Sequence, residues 1–158
     1  MATQQNSIAR QAALKTNLVL ESLISKVQSH PSENDNNYNQ LLKELTTFQT
    51  SVDSLSALLP LIKMNLDDNL PTPLTWYSSI CTGLTQQIQD VEKSSESLDW
   101  SALKCNGRTI PEMIKAMRDP HNTVDLLVTA SLAIMIPVTP EEKAPILRVI
   151  AKLMFPRL

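Results

Sequence analysis

YNQLLKELTTFQTSVDSLSALLPLIKMNL, residues 38–66, places Tyr38, Leu41, Leu45, Phe48, Val52, Leu55, Leu59, Ile62 and Leu66 at steps of three and four without a slip. That spacing lines apolar side chains along one stripe of a helix, and four heptads are enough for a coiled-coil-like seam. Pro60 interrupts the run one residue after Leu59, on the side away from the stripe. A proline inside a helix removes one hydrogen bond and clashes with the preceding turn, at about 3 kcal/mol. Because the seam keeps its phase on both sides, the spacing predicts a helix that kinks at Pro60 and continues. The off-seam Leu58 and Leu61 then form a second apolar face at the bend.

After NLPTP the same steps resume through Leu74, Tyr77, Cys81, Leu84, Ile88, Val91, Ser95 and Leu98. Thr72 is placed to cap this second helix and Pro73 to occupy its first turn, where the missing N–H is harmless. Two seams with a short connection predict an antiparallel helical hairpin over residues 38–98. Its layers would pair Leu66 with Tyr77, Leu55 with Ile88, and bulky Phe48 with small Ser95.

Working outward, residues 1–7 are polar and expected to fray. From Ile8 to Gln28 the positions Ala9, Ala13, Leu20, Leu23, Ile24 and Val27 recur at helical spacing, with Leu14 and Leu18 on the shoulder. HPSENDNN, residues 30–37, is a linker rich in turn formers. Residues 99–158 predict a cluster of shorter helices. Asp99 to Leu103 makes a short helical turn ended by Asn106-Gly107, and Thr109-x-x-Glu112 has capping-box spacing before a helix that stops ahead of Asp119-Pro120. VDLLVTASLAIMI, residues 124–136, is apolar nearly all round and predicts a central buried helix, too short for the roughly 20 residues a membrane span needs. Pro145 then opens a last amphipathic helix in which Ile146, Val149, Ile150 and Leu153 share one face.

The composition fits this all-α bundle within one domain of 158 residues. Only two glycines occur, so tight hairpins and phosphate-cradling loops are nearly excluded. The net charge is −2, with 6 basic and 11 acidic groups in residues 1–103 against 8 and 5 in residues 104–158. An excess of three cations is far from a nucleic-acid footprint. Cys81 and Cys105 lack metal-ligand spacing and read as buried free thiols. With no signal-peptide pattern and no glycosylation sequon, a reducing intracellular compartment, cytoplasm or nucleus, is expected.

No nucleophile–base pair, glycine-rich loop or zinc motif is present in the sequence, so neither an enzyme nor a cofactor or metal site is expected. His30 and His121, each beside a proline, read as exposed loop histidines. The pairs Asp67-Asp68 and Glu141-Glu142 read as charges serving helix ends. Thr72 and Thr139 precede prolines, a pattern that proline-directed phosphorylation uses. Candidate protein-interaction residues are Leu58, Leu61, Trp76, Trp100, Ile146, Val149, Ile150 and Leu153, since apolar side chains outside the seams and aromatics at element ends anchor partners.

The function expected from this pattern is a non-enzymatic helical adaptor or scaffold subunit that binds other helical proteins, in a hetero-complex more than a homo-oligomer. Nucleic acid and membrane are not its expected partners. By architecture alone it is similar to the helical-hairpin subunits of large intracellular assemblies such as transcription-coactivator, kinetochore or vesicle-tethering complexes. The alternative is a self-associating viral or cellular structural protein, nucleocapsid-associated, whose basic C-terminal third meets RNA or lipid.

Overall fold

The computed structural model describes residues 6–62 and 65–135 of the chain. Among the described residues there are four helices, α1 (Ser7–Gln28), α2 (Asn36–Leu58), α3 (Pro71–Lys93) and α4 (Ile110–Met135), with a two-residue-per-strand hairpin of β1 (Lys104–Cys105) and β2 (Arg108–Thr109) before α4. Every seam position from Tyr38 to Leu66 is buried, as are Leu74, Tyr77, Cys81, Leu84 and Ile88. On α1, all six residues expected to face inward are buried as well. These side chains, with Ile110, Met113, Ile114, Met117 and Val124 from α4, form one contiguous core.

The helices are arranged differently from a two-helix hairpin. α1 packs on α2 and on α3, α4 packs on the same two, and α2 and α3 lie on the diagonal of the bundle. α1 and α3 run parallel: Asp67, ahead of α3, accepts from the Ala9 amide at one end, and Lys26 meets Glu92 at the other. α2 and α4 are parallel in turn, Glu44 meeting His121 and Ser51 meeting Asp125. α2 and α3 are antiparallel, as the two seams require, but they meet through the core with α1 and α4 at their flanks. Their register also differs from the expected one, because Phe48 stacks on Tyr77 at 3.6 Å between ring centroids. Ser95 is not available to pair with Phe48. α3 ends at Lys93, and Ser95 sits beyond it in left-handed backbone with φ 62°.

Pro60 ends α2 instead of kinking it. Leu59–Leu61 form one 3₁₀ turn and Ile62 is extended, with ψ 126°. The proline cannot donate to the Ser56 carbonyl, and the chain converts that loss into a turn beneath the bundle. Leu59, Ile62 and Leu66 stay buried, so the heptad phase survives the end of the helix because the same core receives all three. The connection then crosses to the far corner. α3 begins at Pro71, two residues before the expected start, so Thr72 lies in its first turn and is exposed.

The segment after α3 departs from expectation in three ways. Asn106 and Gly107 take positive φ values of 53° and 79°, the backbone of a two-residue hairpin turn, so two glycines did suffice for one tight hairpin. The capping box forms as read, with Glu112 Oε1 3.0 Å from Thr109 Oγ1 and the Glu112 amide donating to that hydroxyl. The helix it opens, however, does not stop at Asp119. α4 continues through Pro120, which is buried inside it, because Met117 before the proline and His121 and Val124 after it all enter the core. Tertiary packing here outweighs the broken hydrogen bond. α4 is also an outer rod of the bundle and not a central helix: residues 125–130 are half-buried and Leu132 is exposed.

Candidate functional site

The parallel packing of α1 on α3 is made possible by small side chains. Ala9, Ala13 and Thr16 on α1 are buried. Thr16 Oγ1 donates to the Ala12 carbonyl at 2.8 Å and receives the Ser78 hydroxyl at 2.9 Å. The polar groups between the two helices therefore satisfy one another. Outside this contact line the helices diverge and leave a groove, with a hollow of about 630 Å³ continued by one of about 320 Å³ that shares Val19 and Thr82 with it.

The groove is lined by Ile8, Ala12, Leu18 and Val19 on α1 and by Pro71 and a row of Thr, Ser and Gln on α3. Among the described residues Lys15 is its one charged lining residue. Ile8, Leu14 and Leu18 project from α1 as large exposed apolar residues, Leu18 being 67% exposed. From Ile8 to Ser22 the surface runs about 20 Å at 1.5 Å per residue.

The residues singled out from sequence separate sharply. Trp100 is 2% exposed, its indole N–H donating to the His30 carbonyl at 2.9 Å and its ring packed on Tyr38. It is a core residue at the foot of α2, unable to reach a partner. Trp76 is 52% exposed and Leu61 63% exposed, whereas Leu58 is half-buried against the core. Ile146, Val149, Ile150 and Leu153, like Thr139 and the pair Glu141-Glu142, lie outside the described residues. Asp67 does serve a helix end as expected, but that of α1, far away in sequence.

Sequence reading missed the buried polar cluster. His121 is in mid-helix and 7% exposed. Its Nδ1 is 2.7 Å from Glu44 Oε2, and its Nε2 is 3.2 Å from Asp125 Oδ2. Tyr77 donates its hydroxyl to the same Glu44 oxygen at 2.9 Å, and Ser51 donates to Asp125. Burial alone would lower the His121 pKa, but the carboxylates of Asp125 and Glu44 outweigh it and hold the imidazole up at about 9. Asp125 is pushed up by burial and more strongly down by His121 and Ser51, so its pKa is lowered. Burial raises Tyr77 and Cys81, as does the Glu44 charge. The cluster thus holds a cationic imidazole between two carboxylates and ties α2, α3 and α4 together. Cys81, beneath the cluster, is buried with its thiol pKa raised, which leaves it protonated.

Among the described residues no group of His, Cys, Asp and Glu is placed to hold a metal ion, and no helix is long and apolar enough to cross a membrane. Comparison with protein-family models, with curated proteins and with solved structures finds no match to the chain.

Proposed function

We propose that this chain is a non-enzymatic helical adaptor, which presents the α1–α3 groove to a helix of another protein within a multi-subunit intracellular assembly. One observation carries the reading. Two large apolar side chains, Ile8 and Leu18, stand exposed on a groove in whose lining, among the described residues, Lys15 is the single charged one. Isolated exposed apolar residues are ordinary, but exposed apolar residues set along a groove are what a docking surface requires. The interior chemistry supports the same reading, since His121, Glu44, Tyr77 and Asp125 are engaged with one another.

The test is affinity capture with the full chain and with Leu18→Glu and Thr82→Arg, which place a charge in the groove without touching the core. A partner retained by the parent chain and lost by both variants, at unchanged thermal stability, supports the adaptor. A stable closed homo-oligomer in light scattering that the same two substitutions dissociate would replace it with the self-association reading.

A further inference from the structure

Across the ridge of α3 from the groove lies a separate pocket of about 340 Å³, where α3, the β1–β2 hairpin and the start of α4 converge. Its size is at the lower end of the roughly 300–1,000 Å³ typical of ligand sites. Trp76, Ile80 and Met113 make its apolar wall, and Asn106 and Arg108 its polar rim. Gly83 lies in its floor, where the hairpin comes down on α3: a Cβ at this position would be in van der Waals contact with Cys105 Sγ, at 3.4 Å.

The hairpin register aims a cation at this space. Cys105 and Arg108 are directly opposed across the strands, and opposed residues point to the same face. Cys105 is buried on that face beside Gly83, so Arg108 shares it, while the Lys104–Thr109 pair points away. Among the described residues Arg108 pairs with no carboxylate, and no acidic residue lines the pocket. An unpaired guanidinium with its planar donor fork, beside a half-exposed indole and an apolar wall, is complementary to a carboxylate carried next to an apolar side chain.

We propose that this pocket is a docking site for an acidic peptide segment of a partner protein, in which an apolar side chain enters against Trp76, Ile80 and Met113 and a neighbouring carboxylate pairs with Arg108 and accepts from the Asn106 amide. The proposal rests on the reading that the chain works by binding proteins, but on a different surface from the groove, so either site can fail alone.

The two tryptophans provide the experiment. In the ¹⁵N-labelled full chain, the indole N–H of Trp76 reports on the pocket, and that of Trp100, buried and bonded to His30, reports on the fold. The probe is the capped peptide acetyl-Glu-Leu-Phe-Asp-amide, titrated to millimolar concentration beside its Gln/Asn counterpart. The expected result is a saturable shift of the Trp76 signal with the Trp100 signal fixed, weakened about tenfold or more by Arg108→Gln or by the neutral peptide. Absence of a saturable shift, equal response to the neutral peptide, unchanged affinity in Arg108→Gln, or saturation instead by a single-stranded oligouridine would each overturn the proposal. Shifts confined to the amides of Leu18 and Thr82 would do so too, while leaving the groove reading intact.

Discussion

The imidazole of His121 lies 2.7 Å from the Glu44 carboxylate, with both side chains less than a tenth exposed. This pair joins the midpoint of α4 to the midpoint of α2. Around it the Phe48 ring is stacked on Tyr77 and stands edge-on to His121 at 5.1 Å. A buried ion pair contributes little against an apolar replacement, yet it is costly to break from one side. It also defines which residue of α4 faces which residue of α2, a role that hydrophobic contacts alone leave loose.

Stability is expected to fall with rising pH over the range that His121 governs. Its folded pKa of about 9 exceeds the ordinary 6.5, so the folded state binds the proton more tightly. The contribution is complete below pH 6.5 and lost as pH rises through 9. Urea unfolding between pH 6.5 and about 7.5, below the range in which unfolded cysteine ionises, should show this slope in the parent chain and not in His121→Phe. A flat profile in the parent would place His121 in water. On the acid side Asp125, whose pKa is lowered, contributes above its ordinary value and loses that contribution as pH falls through its folded value.

Glu44→Ala should destabilise the protein by about 3 kcal/mol, because it strands the imidazole and the Tyr77 hydroxyl in the core at once. Tyr77→Phe removes one donor and keeps the ring stacked on Phe48, so its cost should be about 1 kcal/mol. The double variant should cost less than the two singles together, since both act on the same Glu44 oxygen. Strict additivity in chemical denaturation would mean that the cluster is not a unit.

The two tryptophans should behave oppositely. Trp100→Ala empties a fully enclosed site and frees the His30 carbonyl, for about 3–5 kcal/mol. Trp76→Ala removes an exposed side chain and should stay within about 0.5 kcal/mol of the parent. Equal losses on thermal unfolding would contradict the assignment of one to the core and the other to the surface.

How far the sequence discloses this fold depends on how many turns a pattern spans. The seam from Tyr38 to Leu66 was legible because period alone decides which face is buried, and every one of its positions is inside. Period does not say which helix supplies the opposing face, and so a four-helix bundle with its two best seams on the diagonal reads like a hairpin. Pro60 and Pro120 make the same point. At Pro60 α2 terminates, and at Pro120 α4 continues, although both sit in apolar runs. In α4 the residues Ile110, Ile114, Met117, His121, Val124, Val128 and Ser131 keep steps of four and three across Pro120, and the helix they belong to has a core to bury them on both sides of the proline. Counting His121 as a seam position would have revealed the helix and the buried histidine together. Glu44 had no comparable signal, because its partners His121 and Tyr77 are 77 and 33 residues away. The groove was legible only as Leu18 standing off the α1 stripe, since its other wall depends on α3 lying parallel to α1.

That parallel pairing predicts where α1 is weakest. Its N-terminus has no acidic residue in its first turn and begins from Asn6 in left-handed backbone at φ 62°, so local sequence supplies little to start the helix. Two long-range contacts supply it instead. Asp67 Oδ1 accepts from the Ala9 amide at 2.9 Å, doing from a distant loop what an N-cap does locally, and Asn6 Oδ1 accepts from the Leu66 amide at 2.7 Å. Asp67→Ala should cost about 1 kcal/mol and raise hydrogen exchange at the first turn of α1, whereas Asp68→Ala beside it should do neither. Because Ile8 lines the groove from this same turn, Asp67→Ala should also weaken capture of a groove-bound partner without changing any residue of the groove. Protection unchanged at Ala9 in Asp67→Ala would show that the α1 start is held by core packing of Ala9 and Ala13 alone, and would remove the link between the loop and the docking surface.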